Sequence, residues 1–329
     1  MRYAILYSAF VAGASAHGLI RSIEGANGVT MPGLSVADGT PRNCVANSCG
    51  AQADTAIIRD LDISTGQATP LGKTQGNGPV DPAAVISTFM GNGKAPTNKG
   101  AAGSVGVEDN FGGLGGLVGA AQRRDEHKRQ IDNLFGGFTN LPFIGAAGLG
   151  GAKNSYPVET IVSDTAGQGT AHGLPTCDDQ GVVSVVYRQV RKLTPVWSCL
   201  AARADISHPQ INQDGAGPLT AAIDPSSGGY DANAFQGAQV TQNMPGLGIG
   251  GLSLATNTDF LVKVQMPEGM TCDGKVGGAE NVCIVRVRNS ALAGPFGGAA
   301  AFTQSPAARK RAIAYRLRKR FDFSRLDSE

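Results

Sequence analysis

From Val182 onward the chain repeats one pattern: short apolar runs that alternate in polarity and are cut off by glycine and proline. In Phe260 to Gln265, Phe260, Val262 and Val264 fall on one side, and Leu261, Lys263 and Gln265 on the other. Cys283, Val285 and Val287 alternate likewise with Ile284, Arg286 and Arg288 in what reads as the last strand. A period of two sends successive side chains to opposite faces of a pleat, so these are half-buried strands. Val182 to Gln189 and Leu219 to Ile223 add two more. His17 to Glu24 is another, closed by a turn at Gly25-Ala26-Asn27-Gly28. Short strands, irregular connections and 47 glycines in 329 residues point to a mainly β chain. The expected fold is an Ig-like or fibronectin-like antiparallel β-sandwich with long Gly-rich loops and a disordered insertion.

Helical spacing is seen mainly in one place. Behind Asp81-Pro82, the residues Ala83, Val85, Ile86, Phe89 and Met90 recur at helical intervals. Asp54 to Asp60 is a short apolar run between charges that fits a strand or a helical turn equally.

The N-terminus sets the compartment. Arg2, an apolar run from Tyr3 to Gly13 and the small-residue site Ala14-Ser15-Ala16 form a secretory signal peptide over residues 1–16. It is too short to be a membrane span, and no later apolar run reaches that length. The expectation is a secreted protein, extracellular or wall-associated. Cleavage after Ala16 would make His17 the first mature residue, offering an amine and an imidazole to one metal ion. In the remaining chain, 17–107 is expected to form the first part of the sandwich and 181–303 the second. Residues 108–180 are read as a Gly-rich low-complexity insertion and linker, with dibasic pairs at Arg123-Arg124 and Lys128-Arg129. Residues 304–329 form a basic tail.

Six cysteines in an exported chain imply disulfides. Cys272 and Cys283 bracket a Gly-rich loop between strands, and Cys44 and Cys49 are near enough in sequence to pair locally. The formal charge of +2 hides an asymmetry. Arg309 to Glu329 carries eight basic and three acidic residues, whereas the body carries 19 basic and 23 acidic. Nothing in the body resembles a nucleic-acid surface.

One segment fits nothing around it. Val190 to Gln210 interrupts a strand and holds the single Trp, Trp197. Its 21 residues are a whole number of codons. Val190-Arg191 can be encoded as a splice donor, Ala204-Asp205 as a branch point and Gln210 as an acceptor. Residues 190–210 are therefore read as a retained intron in the gene model.

With that segment removed, seven stretches together resemble a known family. They are His17-Gly18-Leu19-Ile20, Asp38-Gly39-Thr40-Pro41-Arg42, Asp54 to Asp60, Asn212 to Pro218, Val240 to Gly246, Met266-Pro267-Glu268-Gly269, and Asn281 through Gly298. In this order and spread they resemble the fungal Egh-sixteen-like virulence factors, which include the Mas-type appressorium surface proteins. The resemblance implies a secreted protein linked to host penetration and no defined chemistry. The family's N-terminal His and sandwich pattern are in turn distantly similar to lytic polysaccharide monooxygenases, whose copper sits between two histidines. Relatives often carry the second His where this chain has Arg188, a guanidinium that cannot ligate copper. The remaining candidate ligands are His172, in a loop, and Asp214, whose ordinary role before a glycine is to cap a turn. His127 and His208 lie in the insertion and in the suspect segment.

Two functional readings follow. The first is a non-catalytic surface or effector protein of the infection apparatus, since no nucleophile elbow or other catalytic motif is recognisable. The second is a copper protein acting on host or fungal wall polysaccharide, with His17 holding the metal and His172 or Asp214 completing the site. Cell-wall polysaccharide or a host surface is the expected partner. A plain carbohydrate-binding module ranks lower, because such modules present rows of aromatics and this chain has few.

Overall fold

The computed structural model describes residues 17–43, 50–99, 155–190, 217–245, 258–291 and 294–326. Among these residues, twelve antiparallel strands make one curled sheet. In chain order they are β1 (His17–Glu24), β2 (Thr30–Pro32), β3 (Ala56–Ile57), β4 (Lys73–Thr74), β5 (Gly78–Pro79) and β6 (Val182–Val190). They continue with β7 (Thr220–Asp224), β8 (Gln236–Gln242), β9 (Thr258–Gln265), β10 (Gly274–Val276), β11 (Ala279–Arg288) and β12 (Phe296–Phe302). The spatial order is β2-β1-β6-β9-β8-β7-β11-β12-β3-β4-β5, with β10 added on β11.

Strand β8 is where the sheet turns over. Gln236, Gly237 and Ala238 pair with β7, and Gln239, Val240 and Gln242 pair with β9 across an irregularity in register. Changing partner between Ala238 and Gln239 lets one strand serve two faces of a core. The halves meet where β12 lies against β1. All seven residues of β12, Phe-Gly-Gly-Ala-Ala-Ala-Phe, are buried. Their small side chains allow backbone-close packing: a Cβ on Gly298 would lie 2.7 Å from the Ile20 backbone nitrogen. Just past β2, Leu34 N–H donates to the Ala299 carbonyl at 2.8 Å. The expectation of a mainly β fold holds, with one curled sheet in place of two separate ones.

The expected alternation is strongest in β9, where Val262 and Val264 are fully buried and Leu261 is exposed. In β1 it fails, because Leu19 and Ile20 are both fully buried. One face of β1 lies on β12, and residues 156–164 reach the β1–β6 pair through Glu159 and Tyr156. These residues fall in the part of the chain expected to be insertion and linker. Residues 155–180 instead carry two short helices, α3 (Ile161–Asp164) and α4 (Gln168–His172), with Ile161, Val162, Leu174 and Cys177 buried in the core. Residues 108–154, like residues 1–16, where a signal peptide is expected, and residues 191–210 of the suspect segment, lie outside the described residues.

Asp54 to Asp60 resolves into both alternatives: β3, then the short helix α1 (Asp60–Ser64). The helix expected behind Asp81 is α2 (Pro82–Phe89), and the Asp81 side chain accepts the Ala83 N–H as its cap. Two elements go beyond the reading of the sequence. Cys283 to Arg288 is followed by β12, so it is not the last strand. The basic tail forms α5 (Pro306–Leu326).

Candidate functional site

Strand β1 begins at His17, opposite Val190 at the end of β6. The His17 ring is 1% exposed and lies 4.4 Å, centroid to centroid, from the Phe296 ring of β12. Its neighbour Gly18 stands opposite Gln189. A Cβ on Gly18 would come within 2.1 Å of the Tyr187 hydroxyl, so only glycine leaves room for that phenol. Tyr187 and Gln189 are two apart on β6 and share a face. His17, Tyr187 and Gln189 thus all stand at one end of the β1–β6 pair, with Tyr187 and Gln189 on one face of β6. Gln189 is fully buried, and neither Oε1 nor Nε2 has a hydrogen-bond partner among the described residues. Leaving such a group unsatisfied costs about 1–3 kcal/mol. Cleavage after Ala16 would convert the His17 peptide nitrogen into an amine at this end.

The next residue of β6 faces the other way into a buried charge network. Arg188 is 3% exposed and donates from Nε and Nη2 to the two Asp259 oxygens at 2.6 and 2.7 Å. Its guanidinium lies 3.8 Å from the Tyr156 ring centre and 3.6 Å from Glu159 Oε2. Glu159 also accepts from Arg42 Nε at 3.1 Å. Arg42 is bidentate on Asp54, with Nη1 to Oδ1 at 2.9 Å and Nη2 to Oδ2 at 2.6 Å. Burial by itself would lower the Arg42 pKa, but Asp54 and Glu159 outweigh it and raise it above its ordinary value. This network ties the loop around Arg42, the segment at Glu159 and the β6–β9 pair together. Arg188 is therefore a structural anchor, consistent with its inability to bind a metal.

His17 and His172 are not brought together. His172 ends α4 and lies beside Asn27, Gly28, Val29 and Gln168, past the far end of β1. The eight residues of β1 put it roughly 25 Å from His17. Asp214, His127 and His208 lie outside the described residues. Among the described residues, no group of three or more His, Cys, Asp or Glu is placed to hold a metal ion. Cys272 and Cys283 form the expected disulfide. Cys44 and Cys49 lie outside the described residues. Cys177 is a buried free thiol, its pKa pushed up by burial.

Tyr187, Gln189 and the Arg42–Glu159–Arg188 network were missed by sequence reasoning. Period two in Val185-Tyr187-Gln189 marks a shared face, which was a usable signal. The network had none, since Arg42 and Glu159 are 117 positions apart.

The sequence model of the Egh16-like virulence factors matches residues 15–297, which spans both halves of the sheet and the His17 end. The chain belongs to this family. It is 48% identical over 323 residues to the appressoria-specific virulence factor GAS2 of Pyricularia oryzae, covering 97% of this chain and 95% of that protein. It is 38% identical over 114 residues to GAS1 of the same fungus, covering 33% of this chain and 44% of that one. No solved structure matches.

Proposed function

We propose that this family member is a secreted, non-catalytic surface or effector protein of the fungal infection structure. The observation that carries this reading is the near full-length identity to an appressoria-specific virulence factor. The Cys272–Cys283 bridge is compatible with export, as is the finding that no described helix is long and apolar enough to cross a membrane. Two measurements on the producing fungus test it. N-terminal sequencing of the secreted protein should begin at His17. A deletion strain should form appressoria yet penetrate host tissue less, with the defect repaired by the Tyr187→Phe, Gln189→Ala form. Normal penetration by the deletion strain would overturn the infection role. Repair by the native gene alone would overturn the non-catalytic reading.

A second reading keeps copper at His17, favoured by the position of that residue at the head of β1, the same end of the pair as Tyr187 and Gln189. The amine and imidazole of His17 would hold the ion, with Asp214 as the remaining candidate oxygen ligand. His172, at the other end of β1, does not fit this set, so no reaction step is derived through the metal. Copper titration of processed protein against His17→Ala separates the readings. Equal, weak binding by both removes copper from the account.

A further inference from the structure

Helix α5 starts on the body and leaves it partway along. Ser305 caps it, accepting the Ala308 N–H at 3.1 Å and donating to Asp179 at 2.9 Å. Ala308 and Ala312, one turn apart, are buried against the body. Arg309 donates to the Cys272 carbonyl at 2.9 Å and to Asp273 at 3.1 Å. Tyr315 is hydrogen-bonded to Glu268, and its ring lies over Gly269. Lys319 falls on the same side of the helix as Ala308 and Ala312, yet it is exposed, as is every residue from Arg316 to Arg320. At that level no described residue covers even the docked side.

Positive charge rings this helix. Lys310, Arg316, Arg318, Lys319 and Arg320 are exposed, and none is in an ion pair among the described residues. At about 100° per residue they fall at about 0°, 240°, 80°, 180° and 280° around the axis, so no side is free of a cation. They span about 15 Å along it. Arg309 and Arg311, by contrast, are engaged with Asp273 and with the Gln180 side chain. The body is net acidic by sequence, so unpaired positive charge is concentrated on this one projection.

We propose that α5 is a docking element for a flexible polysaccharide bearing carboxylates, which pairs with cations on several sides of the helix at once. Charge complementarity selects a polyanion, and the all-round distribution of the cations selects its form. A bilayer meets one side of a helix, and lying in it needs a face clear of charge, which this ring does not leave. A nucleic-acid duplex is stiff and also meets one side. A single strand is held largely by stacking on aromatic rings, whereas the Tyr315 ring is already placed over Gly269. Carboxylates strung along a flexible chain can follow the cations round the helix, and arginine pairs with them well. The choice of an extracellular polymer rests on the export reading given above.

The test is retention of the full chain on beads carrying polygalacturonate, beside beads carrying its methyl ester, which keeps the sugars and removes the charge. Two variants accompany it, Arg316→Gln/Arg318→Gln/Arg320→Gln and Arg316→Lys/Arg318→Lys/Arg320→Lys, each checked for native circular dichroism and an intact Cys272–Cys283 bridge. Affinity should be at least about tenfold higher for the charged polymer, fall about tenfold or more in the glutamine variant and stay within about threefold in the lysine variant. It should also weaken as salt is added. Equal retention on both polymers, or equal retention of the native and glutamine proteins, would overturn the inference. So would stronger competition from duplex DNA or phosphatidylserine vesicles than from free polygalacturonate at equal anionic charge, which would make nucleic acid or lipid the partner. The purified chain is used, so a failure here is distinct from a failure of the infection role, which the deletion strain tests.

Discussion

Replacing Arg42 with Met tests the charge network that fixes β6 beside β1. Arg42 is 2% exposed and makes three hydrogen bonds of 2.6–3.1 Å to two carboxylates that are themselves 1% and 4% exposed. Its loss leaves Asp54 with a single hydrogen bond among the described residues, a weak one from Ala37 N–H at 3.4 Å. Glu159 keeps only the longer approaches of Arg188 at 3.6 Å and Arg21 at 3.9 Å. An uncompensated buried charge of this kind costs about 3–5 kcal/mol. With an m-value of about 2–3 kcal/mol per molar urea, the unfolding midpoint should fall by about 1–2 M. The Arg42→Met/Asp54→Leu pair removes both charges and should recover at least about 1 kcal/mol of the loss. Urea titrations followed by far-ultraviolet circular dichroism read all three proteins. A loss under about 1 kcal/mol in the single variant would refute the reasoning, as would a double variant no more stable than the single.

Three further outcomes are expected. Gly298→Ala should destabilise by about 1–3 kcal/mol in thermal unfolding, since its new Cβ would press on the Ile20 backbone 2.7 Å away. Tyr230 donates to Asp81 at 2.9 Å, and burial together with that bond pushes its pKa up to about 12. The raised folded value means its stabilising effect is whole below pH 10 and is lost as pH climbs through about 12. Tyr230→Phe should delete a step near pH 12 from the phenolate absorbance titration of the folded protein. Finally, if residues 190–210 are a retained intron, tryptic peptides from the native protein should join Gln189 to Ile211, and any peptide reading through Trp197 refutes it.

Much of the sheet was readable from local pattern. β1 and the helix behind Asp81 stand where turn and cap residues placed them, because an Asn-Gly turn or an Asp cap acts within a few residues. β12 was invisible to that logic. Gly-Gly-Ala-Ala-Ala has little strand preference, and it becomes a strand because only small residues let β1 and β12 approach so closely. Residues 155–180 misled for a related reason: Glu159 looks solvent-bound until Arg42 and Arg188 are brought to it.

The candidate site divides the same way. His17 could be singled out from the expected cleavage site before it, and Cys272 and Cys283 from the loop they bracket, since both rest on neighbours along the chain. The sequence alone also determined the family and the mainly β class, through ordered motifs and a period of two. Only the tertiary structure decided that Gln189 stands opposite Gly18, next to His17, that His172 lies past the other end of β1, and that the basic tail folds as α5. Those facts depend on register and on packing between distant segments. A pairing register is set jointly by two strands and the core they share, so no single stretch of chain encodes it.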